Sequence, residues 1–458
     1  MAGSIKNITA IRNPFLIFLP FLLVYAVLIL YLQSSALWGD EIRHFKQAQN
    51  LLHGFYSLHA PDVELRNGPG YPLAILPFIA LHIPLVCIKL LNAVFLYLSV
   101  VFLFKSLMQM VSFRKSLLFG LFFACYYNAF DFMSMLYSEV FTVLLVSLLV
   151  YCLIRAFKTE PASTKKYVYL AGLIFGYIAL TKIIFGYVLL FMFLGSALLW
   201  LMKHNVLNFK KGMLISSIAF LTVIPYLSYT YYLTGRIFYW GTTGGNNLYW
   251  MSALHEDEYG SWFPDPAIPK PGDTVSVKKN IDVEAAGGQM NLKNRTQYIP
   301  GGEDSIRVHH QKDFEDINNY KSVERDDAYK RVVMKNIKAN PVKFVKNCIS
   351  NVGRILFNYP YSYTPQKPGT LARLPLNGII VVLMLFCLIP TVLNWRKISY
   401  PVRFMLFIAM LYLGGSVFGS AEIRMFTIVV PILLAWIAFI IHRSVKVNWK
   451  FSEAGTKE

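Results

Sequence analysis

What most constrains this chain is a succession of apolar runs, each about as long as a bilayer is thick, parted by short loops rich in lysine and arginine. The first run, residues 14–33, is long enough for a helix to cross a hydrocarbon layer of about 30 Å. Further runs occupy 84–104, 116–132, 135–154, 167–182, 184–202, 212–232, 377–394, 404–419 and 425–442, giving ten expected spans. Only helices and closed barrels satisfy their backbone groups in lipid, and runs of this length specify helices. Composition agrees. Of 458 residues, 55% are hydrophobic and 15% charged, with a mean hydropathy of +0.46, whereas soluble domains carry roughly a quarter charged residues.

The formal net charge of +19 would fit a nucleic-acid partner, but the positions of the basic residues exclude that reading. They cluster between alternate runs: Lys105, Arg114 and Lys115; Arg155, Lys158, Lys165 and Lys166; Lys203, Lys210 and Lys211; Arg396, Lys397 and Arg403; Arg443, Lys446 and Lys450. Basic loops of this kind orient helices with their positive side to the cytoplasm. With Lys6 and Arg12 ahead of the first run, both termini are expected in the cytoplasm, in a multi-pass protein of the plasma (inner) membrane. Three regions follow. Residues 1–232 form an N-terminal transmembrane module that includes a first exoplasmic loop at 34–83. Residues 233–376 form a long exoplasmic loop, and 377–458 the C-terminal helices and tail.

Several shorter segments read as surface elements. Residues 41–54 carry Phe45, Ala48, Leu51 and Leu52 at helical spacing. Residues 71–81 are apolar but too short to span, and are broken by Pro72 and Pro77. Within the long loop, 255–320 is rich in Gly, Pro, Asp and Asn and is expected to hold little regular structure. It includes a glycosylation sequon at Asn294-Arg295-Thr296 and a His309-His310 pair, read as solvated histidines. Residues 324–357 read as helical, with Asn340-Pro341 a cap and first-turn proline. The stripe of Val342, Val345, Ile349, Val352 and Leu356 is expected to lie on the lipid surface. The five cysteines have neither disulfide nor metal spacing.

No phosphate-binding GxxxxGK[ST] loop, dinucleotide GxGxxG, GxSxG elbow or HExxH pair is present. Any substrate therefore comes from the membrane or the exoplasmic space. Trp38-Gly39-Asp40-Glu41 places two adjacent carboxylates just past the first run, and ionisable groups at a membrane edge point to function. The alternation of spans puts Asp40, Glu41, Asp131, Glu139, Lys182, Glu422 and Arg424 all at exoplasmic ends, where they are expected to converge on one site, Asp131 being read as structural. Positive charge there runs against the topology bias, which favours a functional role for Lys182 and Arg424 over simple snorkelling. Glu139 fits equally a ligand-binding carboxylate and a helix-start carboxylate stabilised by the macrodipole.

In their order and sidedness these motifs resemble the GT-C glycosyltransferases, within them the protein-O-mannosyltransferase-like and aminoarabinose-transferase-like branch. The resemblance runs over nearly the whole chain. It rests on Gly39-Asp40-Glu41, Leu51-Leu52-His53-Gly54, Asn67-Gly68-Pro69-Gly70-Tyr71-Pro72-Leu73 and Tyr137-Ser138-Glu139. It continues through Ala171-Gly172-Leu173, Leu180-Thr181-Lys182, Gly235, Thr242 to Leu248, Asn340-Pro341 and Ala421-Glu422-Ile423-Arg424. It implies an all-α bundle that transfers a sugar, with inversion, from a polyprenyl-phosphate donor to an envelope glycan, lipid or protein acceptor.

On that basis Asp40 is the expected general base and Glu41 orients the site or binds acceptor. Arg424, Lys182, Arg66 and Arg43 are the expected cations for the lipid phosphate, because charged donors stabilise such a leaving group. Glu139 and Glu422 complete the polar set, and Tyr71 and Trp38 are candidates to stack on sugar. Asp40, Glu41 and Glu139 have oxygen chemistry suited to a hard cation, but the branch resembled works without one, so no metal or other cofactor is expected. A flippase for lipid-linked glycans is the competing reading. It would call for inverted repeats and midplane charges, which the sequence does not display.

Overall fold

The structure, a computed structural model, describes residues 13–158, 161–202, 206–263, 302–363 and 368–444. The Asn294 sequon, Lys6, Arg12, Lys203, Lys446 and Lys450 lie outside them. The described residues form sixteen α-helices and no strand. In chain order these are α1 Pro14–Leu32, α2 Asp40–Leu52, α3 Gly70–Ala80, α4 Leu85–Leu107, α5 Phe113–Ala124, α6 Ser138–Ala156, α7 Pro161–Thr181 and α8 Ile184–Leu201. There follow α9 Val206–Thr234, α10 Gly244–Met251, α11 Gly302–Ile317, α12 Ser322–Ala339, α13 Pro341–Phe357, α14 Pro368–Leu393, α15 Tyr400–Phe418 and α16 Ile423–Ser444.

Eight of these are long and apolar enough to cross a membrane: α1, α4, α6, α8, α9, α14, α15 and α16. The chain is a multi-pass membrane protein of all-helical fold. Helices α6 and α16 are its interior, packed on each other and enclosed by the rest, while α1 and α14 turn most of their surface outward. Side chains on the two interior helices are apolar on almost every face, as full enclosure requires.

Two of the ten expected spans take another form. Helix α7 has the length, but Lys165 and Lys166 in its first turns leave it outside the apolar eight. The run at 116–132 is not one helix. Helix α5 has 12 residues, a rise of only about 18 Å, and turns with a short 3-10 segment at Tyr127–Ala129 complete the passage to α6. Asn128 and Asp131 interrupt the apolar pattern here, and non-helical backbone needs protein around it at such depth. Asn92 of α4 supplies part of that shell, donating to the carbonyls of Met133 at 3.0 Å and Met135 at 2.7 Å. Asn128 donates to Asn377 Oδ1 of α14 at 2.8 Å.

Helices α10 to α13 build a module on one end of the bundle. Its core joins Tyr249, Trp250, Phe314, Ile317 and Tyr329. The expectation of little regular structure over 255–320 fails at α11, whose Ile306, Phe314 and Ile317 share one buried face beneath a mostly polar surface. His310 is likewise not solvated. It is buried, with Nε2 2.6 Å from Glu258 Oε1 and Nδ1 2.6 Å from the Tyr249 hydroxyl.

Asn340 caps α13, its Oδ1 accepting from Lys343 N at 3.0 Å, and Pro341 opens the first turn. This helix faces the reverse of a water-soluble one. Its apolar Val342, Val345, Ile349 and Val352 are exposed, and its polar Lys343, Asn347, Asn351 and Arg354 are buried. Asn351 donates to the carbonyls of Val417 at 2.9 Å and Gly419 at 2.7 Å. The module is thereby fastened to the end of α15, next to Glu422 and Arg424.

Candidate active site

Gly39 has φ +54°, and a β-carbon there would lie 3.1 Å from the Tyr137 hydroxyl. Glycine reaches this backbone conformation without the strain an L side chain would meet. The sharp entry makes Asp40 the first residue of α2, where the positive end of the helix favours a carboxylate. Its neighbour Glu41 points the other way and is fully buried. Glu41 Oε2 accepts from Trp38 N at 3.0 Å, and Oε1 accepts from Leu136 N at 2.8 Å and lies 3.2 Å from Lys89 Nζ. It ties the start of α2 to α4 and to the segment before α6, and does not face the cavity described below.

Asp40 is held by two arginines. Arg43, one turn along α2, pairs with Oδ1. Arg424 Nη1, from the first turn of α16, lies 3.0 Å from Oδ2. The same Nη1 is 3.3 Å from Glu139 Oε1, and Arg424 Nε is 3.4 Å from Glu422 Oε2. Glu139 also accepts from Lys182 Nζ at 2.7 Å. Four separate parts of the chain thus bring together a continuous net of ions: α2, the start of α6, the end of α7 and the start of α16. Burial lowers the Lys182 pKa, a shift that Glu139 opposes. Burial, helped by the charge of Arg66, lowers Arg43 to about 10. Burial, with Lys182 nearby, brings His44 down to about 3.

The segment Asn67-Gly68-Pro69-Gly70 sets where Lys182 sits. A β-carbon on Gly68 would fall 2.0 Å from Leu180 O, and one on Gly70 2.4 Å from Thr181 Oγ1. Only glycine admits so close an approach of two backbones. The Tyr177 hydroxyl donates to Gly70 O at 2.8 Å, completing the joint.

These elements surround a cavity of about 670 Å³. Asp40, Arg43, Lys182, Glu422 and Arg424 line it on one side, with Tyr137, and Arg66 and Asn67 flank them. Further lining comes from the module, with Trp262, Tyr320, Arg325 and Asn246 and Asn247 of α10, and from Thr242 and Thr243 just before α10. Of the residues singled out in the sequence, Asp40, Arg43, Arg66, Lys182, Glu422 and Arg424 therefore meet in one cavity, whereas Trp38 does not line it and Asp131 pairs with Arg373 at 2.7 Å instead. Glu139 lies directly beneath them. Glu41 and Tyr71 do not line it. Tyr71 is buried in α3, edge-on to the His44 ring at 5.0 Å, so it is not available to stack on a ligand there. Among the described residues Arg66 has no ion-pair partner, and no three His, Cys, Asp or Glu side chains are grouped to hold a metal ion. Trp262 carries no motif or periodicity that sequence reading would catch.

No family model matches the chain, and no curated protein does. Among solved structures it is similar to ArnT from Cupriavidus metallidurans bound to undecaprenyl phosphate. Identity there is 11% and the TM-score 0.41, over 93% of this chain and 77% of that one. It is also similar to the archaeal oligosaccharyltransferase AglB from Archaeoglobus fulgidus in complex with an inhibitory peptide and a dolichol-phosphate. Identity is 12% and the TM-score 0.46, over 95% of this chain but 52% of AglB.

Proposed function

We propose that the protein is a glycosyltransferase that moves a sugar from a polyprenyl-phosphate donor to an acceptor hydroxyl at the exoplasmic surface of the membrane. The observation that carries this reading is the placement of Asp40 on the cavity, both oxygens engaged by Arg43 and Arg424, among ion pairs drawn from four separate parts of the chain. A carboxylate that faces a cavity beside several cations has the groups for two tasks at once. It can take a proton, and the cations can receive a phosphate.

In the proposed reaction Asp40 removes the proton from the acceptor hydroxyl as that oxygen bonds to the anomeric carbon. The bond from that carbon to the phosphate oxygen breaks, and its electron pair leaves with the polyprenyl phosphate. One displacement inverts the anomeric centre. Arg43, Arg66, Lys182 and Arg424 stabilise the departing charge, and arginine adds a two-pronged hydrogen-bonding geometry suited to phosphate. An incoming phosphate competes with Asp40 for Arg43 and Arg424, and so releases carboxylate lone pairs for the acceptor proton. Glu139 holds Lys182 and Arg424 in place from below.

The test is sugar transfer by the purified protein in nanodiscs, offered a panel of polyprenyl-phosphate sugars and an envelope acceptor fraction. Transfer by wild type and its loss in Asp40→Asn is the expected result. Movement of labelled lipid between leaflets, with no transfer from any donor, would establish a flippase instead.

A further inference from the structure

We infer that the module side of the cavity is a saccharide subsite, so that the accepting hydroxyl belongs to a glycan rather than to a peptide. This rests on the transferase reading and names the acceptor class for it.

Trp262 stands on that wall with 46% of its surface exposed. Its indole N–H donates to Asn246 Oδ1 at 2.8 Å, which anchors the polar edge of the ring at the cavity. Tyr320 lines the same wall. Thr242, Asn247 and Ser420 line the same cavity, half-buried, with side chains that make no hydrogen bond to the described residues. Three charged residues on that lining, Arg325, Lys321 and Asp326, are engaged by other protein groups, Arg325 Nη2 donating to Asn318 Oδ1 at 2.7 Å. Lys321 lies 3.1 Å from Asp62, and Asp326 accepts from Gly245 N at 2.6 Å and lies 2.5 Å from Lys330 Nζ. The wall thus offers the exposed Trp262 indole together with neutral groups that donate and accept.

A pyranose ring matches that combination. Its C–H face packs on an indole, which has a large apolar body with a polar edge. Its hydroxyls each donate and accept, as amides and hydroxyls require. A peptide is recognised through a strand edge or a hydrophobic groove, and this lining has neither among the described residues. A site lined by groups that pair with hydroxyls also discriminates strongly against ligands that lack them.

The experiment uses the full-length protein in nanodiscs and an envelope extract of the source cells, divided into untreated, proteinase K-digested and periodate-oxidised portions. Saturation-transfer NMR reads which protons in the extract touch the protein, without donor present. The expected result is transfer to sugar-ring protons that survives the protease and is lost after periodate. It falls at least fivefold in Trp262→Ala and in Asn247→Ala, and is largely kept in Trp262→Phe. Signals on peptide protons that the protease removes would overturn the subsite, as would sugar signals unchanged in Trp262→Ala or an absence of any signal. Enzymatic transfer is followed in parallel. Sugar binding without transfer from any donor would sink the transferase reading alone, and transfer without sugar binding would sink the subsite alone.

Discussion

Arg424 Nη1 lies 3.0 Å from Asp40 Oδ2 although 384 residues separate them. The chain brings its first surface helix and its last span together at a single ion pair, and the other charged residues of the site are arranged around it. If Asp40 is the base, Asp40→Asn keeps the size and hydrogen-bonding shape of the side chain and removes its basicity. Transfer should fall by about a hundred- to ten-thousand-fold, the range for loss of a general base. The thermal midpoint and elution profile in detergent should stay close to wild type, because the site is partly open to the cavity. Initial rates and unfolding curves measured on one preparation check both halves.

The adjacent carboxylate should behave in the opposite way. Glu41 is fully buried against Lys89 and two backbone amides. Breaking one side of a buried pair costs roughly 3–5 kcal/mol, because the other charge is left without compensation. Glu41→Gln is therefore expected to lower the thermal midpoint sharply and to reduce yield. Glu41→Gln together with Lys89→Met should recover much of that stability. A Glu41→Gln protein as stable as wild type but inactive would assign Glu41 to the chemistry instead.

His44 makes a prediction about acid. It is buried, its Nδ1 has no hydrogen-bond partner among the described residues, and burial brings its pKa from 6.5 to about 3. A depressed histidine is neutral in both states above pH 6.5 and contributes nothing there. As pH falls below 6.5 the unfolded chain takes a proton that the native state refuses, so the native state loses stability, by about 1.4 kcal/mol per pH unit for one proton. The loss continues until the native imidazole itself protonates near 3. Thermal unfolding between pH 8 and 5 should show a shallower acid slope in His44→Gln than in wild type. Parallel slopes in the two proteins would refute this.

Gly68 tests how the backbone positions a cation. A β-carbon there would meet Leu180 O at 2.0 Å, so Gly68→Ala must shift the end of α7, and Lys182 with it, from the position in which it pairs with Glu139. Overpacking of this kind costs about 1–3 kcal/mol. Both stability and transfer should drop in Gly68→Ala. In Gly54→Ala they should change little in comparison, since a β-carbon at Gly54 meets no atom within 4 Å, although its φ of +83° adds some local strain. Thermal midpoints and initial rates of the two variants, measured side by side, check the contrast.

The spans were legible because length and apolarity are local properties, read directly from one stretch of chain. Asp40, Arg43, Lys182 and Arg424 were legible for a related reason: charge at span ends on one side has few places to go but toward other such charge. The short α5 was not, because what completes its passage is a hydrogen bond from Asn128 to Asn377, some 249 positions away. Tyr71 turns away from the cavity for a geometric reason. The Gly68–Gly70 joint locks the start of α3 against α7, and that docking turns the ring inward. Helix α11 hid its buried face among charges, and Trp262 sits in a polar stretch where only the assembled cavity gives it meaning.

The reversed polarity of α13 has a practical consequence. Val342, Val345, Ile349 and Val352 lie on the outside of the module, so cutting the module away from the spans would present a greasy ridge to water. Residues 244–363 expressed alone would be expected to clump or to bind detergent. The module is therefore no soluble cap set upon a membrane anchor. Its stability is expected to depend on lipid at its edge, and preparations stripped of lipid should lose the module side of the cavity before they lose the bundle.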